Sequence, residues 1–594
     1  MEIVSDRTPR SVEDVRCEDC EEADDPTVAE SRSENAGTDE YSYTQRDNFT
    51  SEIFKIEVAN LPFHMSPKDF KKLLTGRLRL QPHKIKMFNI KRARFAFVTF
   101  KNDQLRDDAI KALDGYHHKQ NTFRAELAKP RADPVQRARK QRSHLLTGES
   151  NPGTQSVLDV VIPWHGDPYD EQLRRKQSSI EEVLIKLERD LSRQQSKDFN
   201  DFVRALKEDT GRKTICDVAD ICGSPRENFY RNKNEFTPGH DETGRLVLGF
   251  RKSSYKRGST EVGRVCDGMK HIPKRALEVA ELFEQYFLQC AEARPPYDAQ
   301  DERGYWRQVT VRTSETDQCM VIVLMHPQDL TIEEVEQEVS KLRTYYDSSL
   351  SGVVSSLYFQ RFDKKSNVYP LEHVAGSEVI TEELLGIRFE ISPPSFFQVN
   401  TKAAEILYGR IFELAELAAD STVLDLFCGI GSIGLTMASK VKRVIGAEII
   451  PDAVDNARRV ASQHGINNCE FIAGKAEDVL SLALHKVSDE KKVVAILDPP
   501  RQGVHKRVIK LLRSSENISC IVYVACNPAA AMPNIIDFCK QSSNNYRGGP
   551  WFPCVAQAVD MFPHTPHTEL IVVLRRFKDV VLSSRARGEA DSVS

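Results

Sequence analysis

From Thr422 to Ala438 the chain reads Thr-Val-Leu-Asp-Leu-Phe-Cys-Gly-Ile-Gly-Ser-Ile-Gly-Leu-Thr-Met-Ala, and no other stretch constrains the fold as tightly. A β-branched and apolar run ends at Asp425, a glycine-rich turn follows, and apolar residues of helical character resume after Gly434. The pattern is a strand, a tight loop and a helix start. Gly429, Gly431 and Gly434 let the backbone approach a ligand where a Cβ would collide. The ligand itself stays open at this point, because a G-x-G-x-x-G turn also suits dinucleotides.

Four further apolar runs follow, at 443–448, 470–473, 493–498 and 521–526, with helical segments such as 452–463 between them. Strands alternating with helices predict a doubly wound, mostly parallel, Rossmann-like sheet. Ligands bind such sheets beyond the carboxyl ends of the strands. Asp425, Glu448, Asp498 and Cys526 all terminate apolar runs, so they should share one edge and one site. Upstream, Ser395-Phe-Phe-Gln398-Val-Asn400 leads into a helix expected over 401–417.

A chain of 594 residues should hold two to four domains. Its formal charge is −4, but unevenly spread: residues 1–48 carry 15 acidic and 5 basic side chains, residues 51–142 carry 9 and 22. An acidic, Ser- and Asp-rich start that cannot bury apolar area is expected to be disordered over 1–50. The basic block points to a polyanionic partner. The thirteen cysteines are scattered, and no signal peptide or long uncharged apolar run is present, which predicts a reduced, soluble, intracellular protein with no membrane attachment. Cys17-x-x-Cys20 has no second pair nearby, so no metal is expected there.

Between residues 51 and 130 the order is strand, helix, strand, strand, helix, strand, with Ser66 a helix N-cap. With Phe95-Ala-Phe97-Val-Thr-Phe100 on the third strand, the segment resembles a ferredoxin-like RNA recognition motif. That resemblance assigns Phe95 and Phe97 to base stacking, but Glu57 takes the place of the first stacking aromatic and Arg94 that of a glycine. Two readings follow: tolerant RNA binding, or a fold used for packing and protein contacts. Residues 131–175 read as a basic linker. A capping box at Ser179-Ile-Glu-Glu182 should start an amphipathic helix with Ile180, Val183, Leu184, Leu187 and Leu191 facing a core. Residues 176–386 are expected to form a central α+β domain, with a hairpin of 306–313 and 318–325 and a helix over 276–290. In Tyr230-Arg231-Asn-Lys233-Asn-Glu-Phe236, cations and aromatics interleave, either as an RNA contact or as a solvated strand face. Residues 387–578 should be the doubly wound domain and 579–594 a disordered tail.

Glu448 can accept hydrogen bonds from ribose hydroxyls, a job common to nicotinamide and S-adenosylmethionine enzymes. The fourth run ends in Asp498-Pro-Pro-Arg501-Gln-Gly503, a rigid turn with a carboxylate at its mouth. Enzymes that methylate exocyclic amines of nucleobases place a stacking aromatic where Arg501 stands. The fifth ends in Cys526-Asn-Pro528, and a helix expected over 529–540 should favour the thiolate. Last come Phe562-Pro-His-Thr-Pro-His-Thr-Glu569 and a final strand. In such sheets that strand runs antiparallel, bringing Glu569 towards Cys526.

Taken together, these motifs resemble the S-adenosylmethionine-dependent RNA uracil-5-methyltransferases, over about residues 216–578. The resemblance implies Cys526 as nucleophile, Glu569 as proton acceptor, and Asp498 at base and cofactor. It implies cofactor contacts from Gln398, Phe427, Gly429, Gly431 and Glu448, and RNA contacts from Arg231, Lys233 and Arg501. Ser432 stands where bacterial relatives often have Asn. Cys216 and Cys222 keep the spacing of two ligands of the iron–sulfur site in the bacterial ribosomal-RNA branch, but the third place is Pro225; three or four thiolates are needed, so no cluster is expected. The implied reaction is carbon-5 methylation of uridine, foremost in the T-loop of cytosolic tRNA. The alternatives are a tRNA-folding chaperone on the same fold, and action on messenger or ribosomal RNA. Residues 137–142 read as a linker or a nuclear import signal, leaving cytosol and nucleus both open.

Overall fold

A strand flanked by parallel neighbours and covered by helices on both faces is buried and near-continuously apolar. Thr422–Leu426 and Val493–Leu497 have every residue buried, and only Thr422 and the site residue Asp425 among them are polar. In the structure, a computed structural model, they pair in parallel at the centre of an eight-stranded sheet. The structure describes residues 54–62, 65–90, 93–118, 121–128, 156–252, 261–266, 268–298, 302–362 and 370–591. The acidic start, most of the basic linker and the 137–142 segment lie outside these residues. Two compact units are described, residues 54–128 and residues 156–591.

The large sheet runs in the order Cys469–Ala473, Arg443–Glu448, Thr422–Leu426, Val493–Leu497, Ile518–Ala525, Glu569–Arg576, Trp551–Val559 and Asp217–Cys222. Glu569–Arg576 is antiparallel to both of its neighbours, as expected. The strand order reverses between Thr422–Leu426 and Val493–Leu497, the switch point at which such sheets open a crevice.

The edge strand Asp217–Cys222 was not expected there. With the helices Tyr169–Ser192 and Lys197–Thr210 it belongs to this sheet, although the sequence assigns residues 176–222 to the central domain. Ile180, Leu184, Leu187 and Leu191 form one core with Ile535, Phe538 and Ala556, so the apolar stripe is satisfied by elements more than 300 residues away. The helix begins at Tyr169 with Pro168 as N-cap, and Ser179 lies within it rather than at its start. The 386/387 boundary also shifts, because Ile380–Leu384 and Ile387–Ile391 form a hairpin that packs on the large sheet. The expected tail is a helix, Phe577–Asp591, and its first residue stacks against Phe199 and Phe552.

The central domain is a seven-stranded sheet, from Val262–Arg264 at one edge to Leu371–Gly376 at the other, packed against Lys274–Cys290 and Ile332–Tyr345. The expected hairpin is Trp306–Thr313 with Cys319–Met325. In the unit at 54–128 the sheet order is Lys84–Ile90, Ala93–Thr99, Lys55–Ala59, Arg124–Leu127, the ferredoxin-like arrangement. Ser66 closes a capping box with Asp69. Ile56, Val58, Ala96 and Val98 face the core, so Glu57, Phe95 and Phe97 share the opposite face.

Within the large unit, Lys176 Nζ meets Asp560 Oδ1 at 2.5 Å with both side chains fully buried. Lys176 also donates to the Phe562 carbonyl at 3.0 Å, and the Tyr169 hydroxyl donates to Asp560 Oδ2 at 3.0 Å. Removing one partner of a buried pair strands the other charge. Lys176→Met should therefore lower stability by about 3–5 kcal/mol, read as a fall in thermal midpoint, whereas Lys176→Met/Asp560→Leu should recover much of it. A single variant as stable as the parent would show that the pair does not hold this junction.

Candidate active site

The glycine-rich loop folds around backbone that only certain residues tolerate. Gly431 has φ +76°, and a Cβ there would lie 2.8 Å from the Phe471 ring. Gly429, at φ +55°, faces open space, with nothing within 4 Å of where its Cβ would stand. Phe427 holds φ +66°, unusual for an aromatic. Two carboxylates fasten the loop. Glu448 accepts from the N–H groups of Gly429 and Ile450, each at 3.0 Å. Asp425 Oδ2 accepts from Gly434 N–H at 2.9 Å, while its buried Oδ1 has no hydrogen-bond partner. Beyond Glu448, Ile449 and Ile450 leave apolar surface exposed beside the loop.

Opposite the loop, Gln398 Nε2 donates to Asp498 Oδ2 at 3.5 Å. The Gln398 carbonyl accepts from Asn232 Nδ2 at 2.8 Å, which ties the central domain to the site. Asn400 caps the helix Thr401–Leu414, its Oδ1 accepting from Ala403 N–H at 3.1 Å, and its Nδ2 donates to the Met561 carbonyl at 3.2 Å. The turn after Asp498 is pinned by Asn534, whose Oδ1 accepts from Val504 N–H at 2.8 Å and from the Tyr523 hydroxyl at 2.9 Å. Pro499, Arg501, Tyr523, Cys526 and Asn527 line a small cavity there.

Cys526 and Glu569 are neighbours through strand register. Ala525 pairs with Leu570 in the antiparallel ladder, so the next residue on one strand stands opposite the preceding residue on the other. Burial raises the carboxyl pKa of Asp498 to about 7. Burial and then Asp498 push Glu569 well above the carboxylate range. Asp425 is raised to about 7 by burial, with the Asp498 and Glu448 charges adding to the effect. The helix expected beside Cys526 is present, yet the thiol is raised. Asn527 does cap the helix Pro528–Cys539 beside it, but burial, Glu569 and Asp498 raise the thiol above its ordinary value. Arg501 opposes them by its charge and a hydrogen bond to the thiol.

The segment before Glu569 rests on residues that the motifs did not reveal. His564 N–H donates to Gln172 Oε1 at 2.7 Å, its Nε2 lies 3.2 Å from Asn228 Oδ1, and the Tyr230 hydroxyl donates to the Pro563 carbonyl at 2.9 Å. A signal existed for Gln172 and Lys176: both continue the apolar stripe of Ile180 and Leu184 at intervals of four. A polar group on a buried stripe needs a partner. Of the expected RNA residues, Arg501 reaches the Cys526 thiol, and Lys233 pairs with Glu235 at 3.0 Å. Arg231 is half-buried, with its backbone N–H bonded to the His271 carbonyl. Phe95 and Phe97 pack edge to face at 5.6 Å in the other unit. No group of three or more His, Cys, Asp or Glu among the described residues is arranged to hold a metal, and no helix there is long and apolar enough to cross a membrane.

The family model for tRNA (uracil-5-)-methyltransferase matches residues 303–577. The chain is 42% identical over 550 residues to tRNA (uracil-5-)-methyltransferase homolog A of Homo sapiens, covering 90% of this chain and 85% of that protein. To homolog B of Danio rerio it is 35% identical over 434 residues, 71% of this chain and 86% of that one. Among solved structures, the Pyrococcus abyssi tRNA (uracil-54, C5)-methyltransferase in complex with S-adenosyl-L-homocysteine aligns with TM-score 0.49 and 21% identity, covering 78% of this chain and 92% of that chain.

The thiolate is the species that alkylates, so a raised thiol pKa slows the reaction at neutral pH. Iodoacetamide modification of Cys526, followed by peptide mass spectrometry, should be slow at pH 7 and climb above pH 9. Arg501→Ala removes the group that opposes the upward shift and should slow modification at every pH below the midpoint; Asp498→Asn should speed it. An Arg501→Ala rate equal to that of the parent would remove the arginine from this balance.

Proposed function

The chain belongs to the tRNA (uracil-5-)-methyltransferase family, and on that premise we propose that it methylates carbon 5 of the T-loop uridine of cytosolic tRNA through a covalent cysteine adduct. It is an S-adenosylmethionine-dependent tRNA methyltransferase. The observation that carries the finer reading is the meeting of Cys526, Glu569 and Asp498 at one strand-end edge, beside the glycine-rich loop.

S-Adenosylmethionine fits the residues at that loop. The open space at Gly429, the unpartnered Asp425 Oδ1 and the exposed Ile449 and Ile450 offer a polar cradle with an apolar flank suited to a purine ring. Phe427, Gly429, Gly431 and Glu448 would hold the nucleoside, and Gln398 and Asp498 the side nearer the base. When bound, the cofactor supplies an electrophilic sulfonium methyl.

Carbon 5 of neutral uracil is a poor nucleophile. The Cys526 thiolate adds to carbon 6, and the electrons of the carbon 5–carbon 6 double bond move to give an enolate, whose carbon 5 takes the methyl. Glu569 then removes the carbon-5 proton, the enolate re-forms, and the thiolate leaves carbon 6 with restoration of the double bond. A carboxylate with raised proton affinity suits that step, and burial gives Glu569 this property. The target base must leave its stack to reach the edge. We assign the ferredoxin-like unit, with Phe95, Phe97 and its basic surface, to RNA contact, and the enzyme to the cytosol.

Methyl transfer from labelled cofactor to unmodified tRNA tests the mechanism. Cys526→Ala should give no product, and Glu569→Gln should accumulate a covalent protein–RNA adduct, seen as a band resistant to denaturation. Full activity in Cys526→Ala would sink the covalent route. Removing residues 1–130 should weaken tRNA binding and leave cofactor binding intact; unchanged tRNA affinity would assign that unit to protein contacts instead.

A further inference from the structure

Phe229 combines two features that a residue serving only the fold would avoid. Its φ is +57°, a conformation that is a genuine outlier for a bulky side chain, and its ring is 39% exposed. The surroundings hold it there. Phe229 N–H donates to the Lys270 carbonyl at 2.6 Å, and Arg231 N–H donates to the His271 carbonyl at 2.9 Å. Both sequence neighbours of Phe229 are anchored to the segment that precedes Glu569, Asn228 at His564 and Tyr230 at Pro563. The ring is thus presented to solvent by a loop bonded directly to the active-site segment. Lys274 Nζ lies 5.7 Å from the ring centroid. The same loop bonds the segment after Phe396, through Asn232 N–H to the Val399 carbonyl at 2.8 Å, and Phe396 is itself 68% exposed. An exposed ring with a cation beside it, on a loop bonded to the active-site segment, is a surface on which a nucleobase can stack.

We propose that Phe229 stacks on a nucleobase flanking the target uridine, and holds the RNA open while that uridine lies at Cys526. The inference rests on RNA being the substrate. Backbone strain is the cost of aiming the ring outward, and it gives a clean test, because glycine adopts positive φ freely. Phe229→Gly removes the ring and relieves the strain, so a loss is not the result of a strained backbone.

Steady-state methylation of unmodified tRNA should show KM raised about tenfold in Phe229→Gly, the scale of one lost base–aromatic stack. The kcat at saturating tRNA and the affinity for S-adenosylhomocysteine by calorimetry should stay near those of the parent. Phe229→Tyr, which keeps the ring, should keep the parent KM. A parent-like KM in Phe229→Gly overturns the proposal, as does an equal rise in Phe229→Tyr or a parallel loss of S-adenosylhomocysteine affinity. Failure of the parent enzyme itself to methylate tRNA would instead overturn the substrate reading on which the proposal rests.

Discussion

The pairing of Ala525 with Leu570 fixes everything that happens at this edge of the sheet. Side chains on a strand alternate between faces, so a slip of one residue would turn Glu569 away from Cys526. Two constraints prevent it. Seven of the eight residues of Glu569–Arg576 are buried, and a slip would exchange the two sets of side chains packed on opposite faces. The chain just before the strand is also tethered from outside the sheet, by Lys176 at Asp560, Gln172 at His564 and Tyr230 at Pro563. The helix Tyr169–Ser192 is thus part of the site's scaffold, although it lies nearly 400 residues away in sequence.

That dependence explains what could be read from the sequence and what could not. The central strands, the loop and the identity of the strand-end residues follow from local patterns: apolar runs with a polar terminus, and turns rich in glycine and proline. The antiparallel last strand followed from the sheet class. The domain boundary did not, because an apolar stripe such as Ile180, Leu184, Leu187 and Leu191 states that a partner exists without naming it. Lys176, on the same stripe, likewise calls for a partner without naming it. Nothing local marks Asp560 as that partner, since it is an ordinary charged residue until a long-range contact removes its water. Residues 579–591 continue a helix that docks through Phe577, whose aromatic partners Phe199 and Phe552 are found only in three dimensions.

Electrostatics was the least legible property. A helix N-terminus beside a cysteine suggests a lowered thiol pKa, and the helix is present. Desolvation and two carboxyl groups nevertheless raise the thiol, and the proximity of those groups to the sulfur depends on strand register and on the turn after Asp498. The same desolvation gives Glu569 the proton affinity wanted of a base. One buried environment therefore favours the proposed proton acceptor and opposes the proposed nucleophile.

Arg501 is the counterweight to that conflict. A chemistry directed at an exocyclic nitrogen needs no thiolate, and an aromatic after the double proline can stack on the base. Attack by sulfur on carbon 6 needs a negative charge at Cys526 in the presence of Asp498 and Glu569, and a nearby cation offsets them. Arg501 is held near the thiol by a turn that Asn534 fastens to Tyr523, on the strand that ends at Cys526. The residue that follows Pro500 thus bears on which chemistry this edge can carry out.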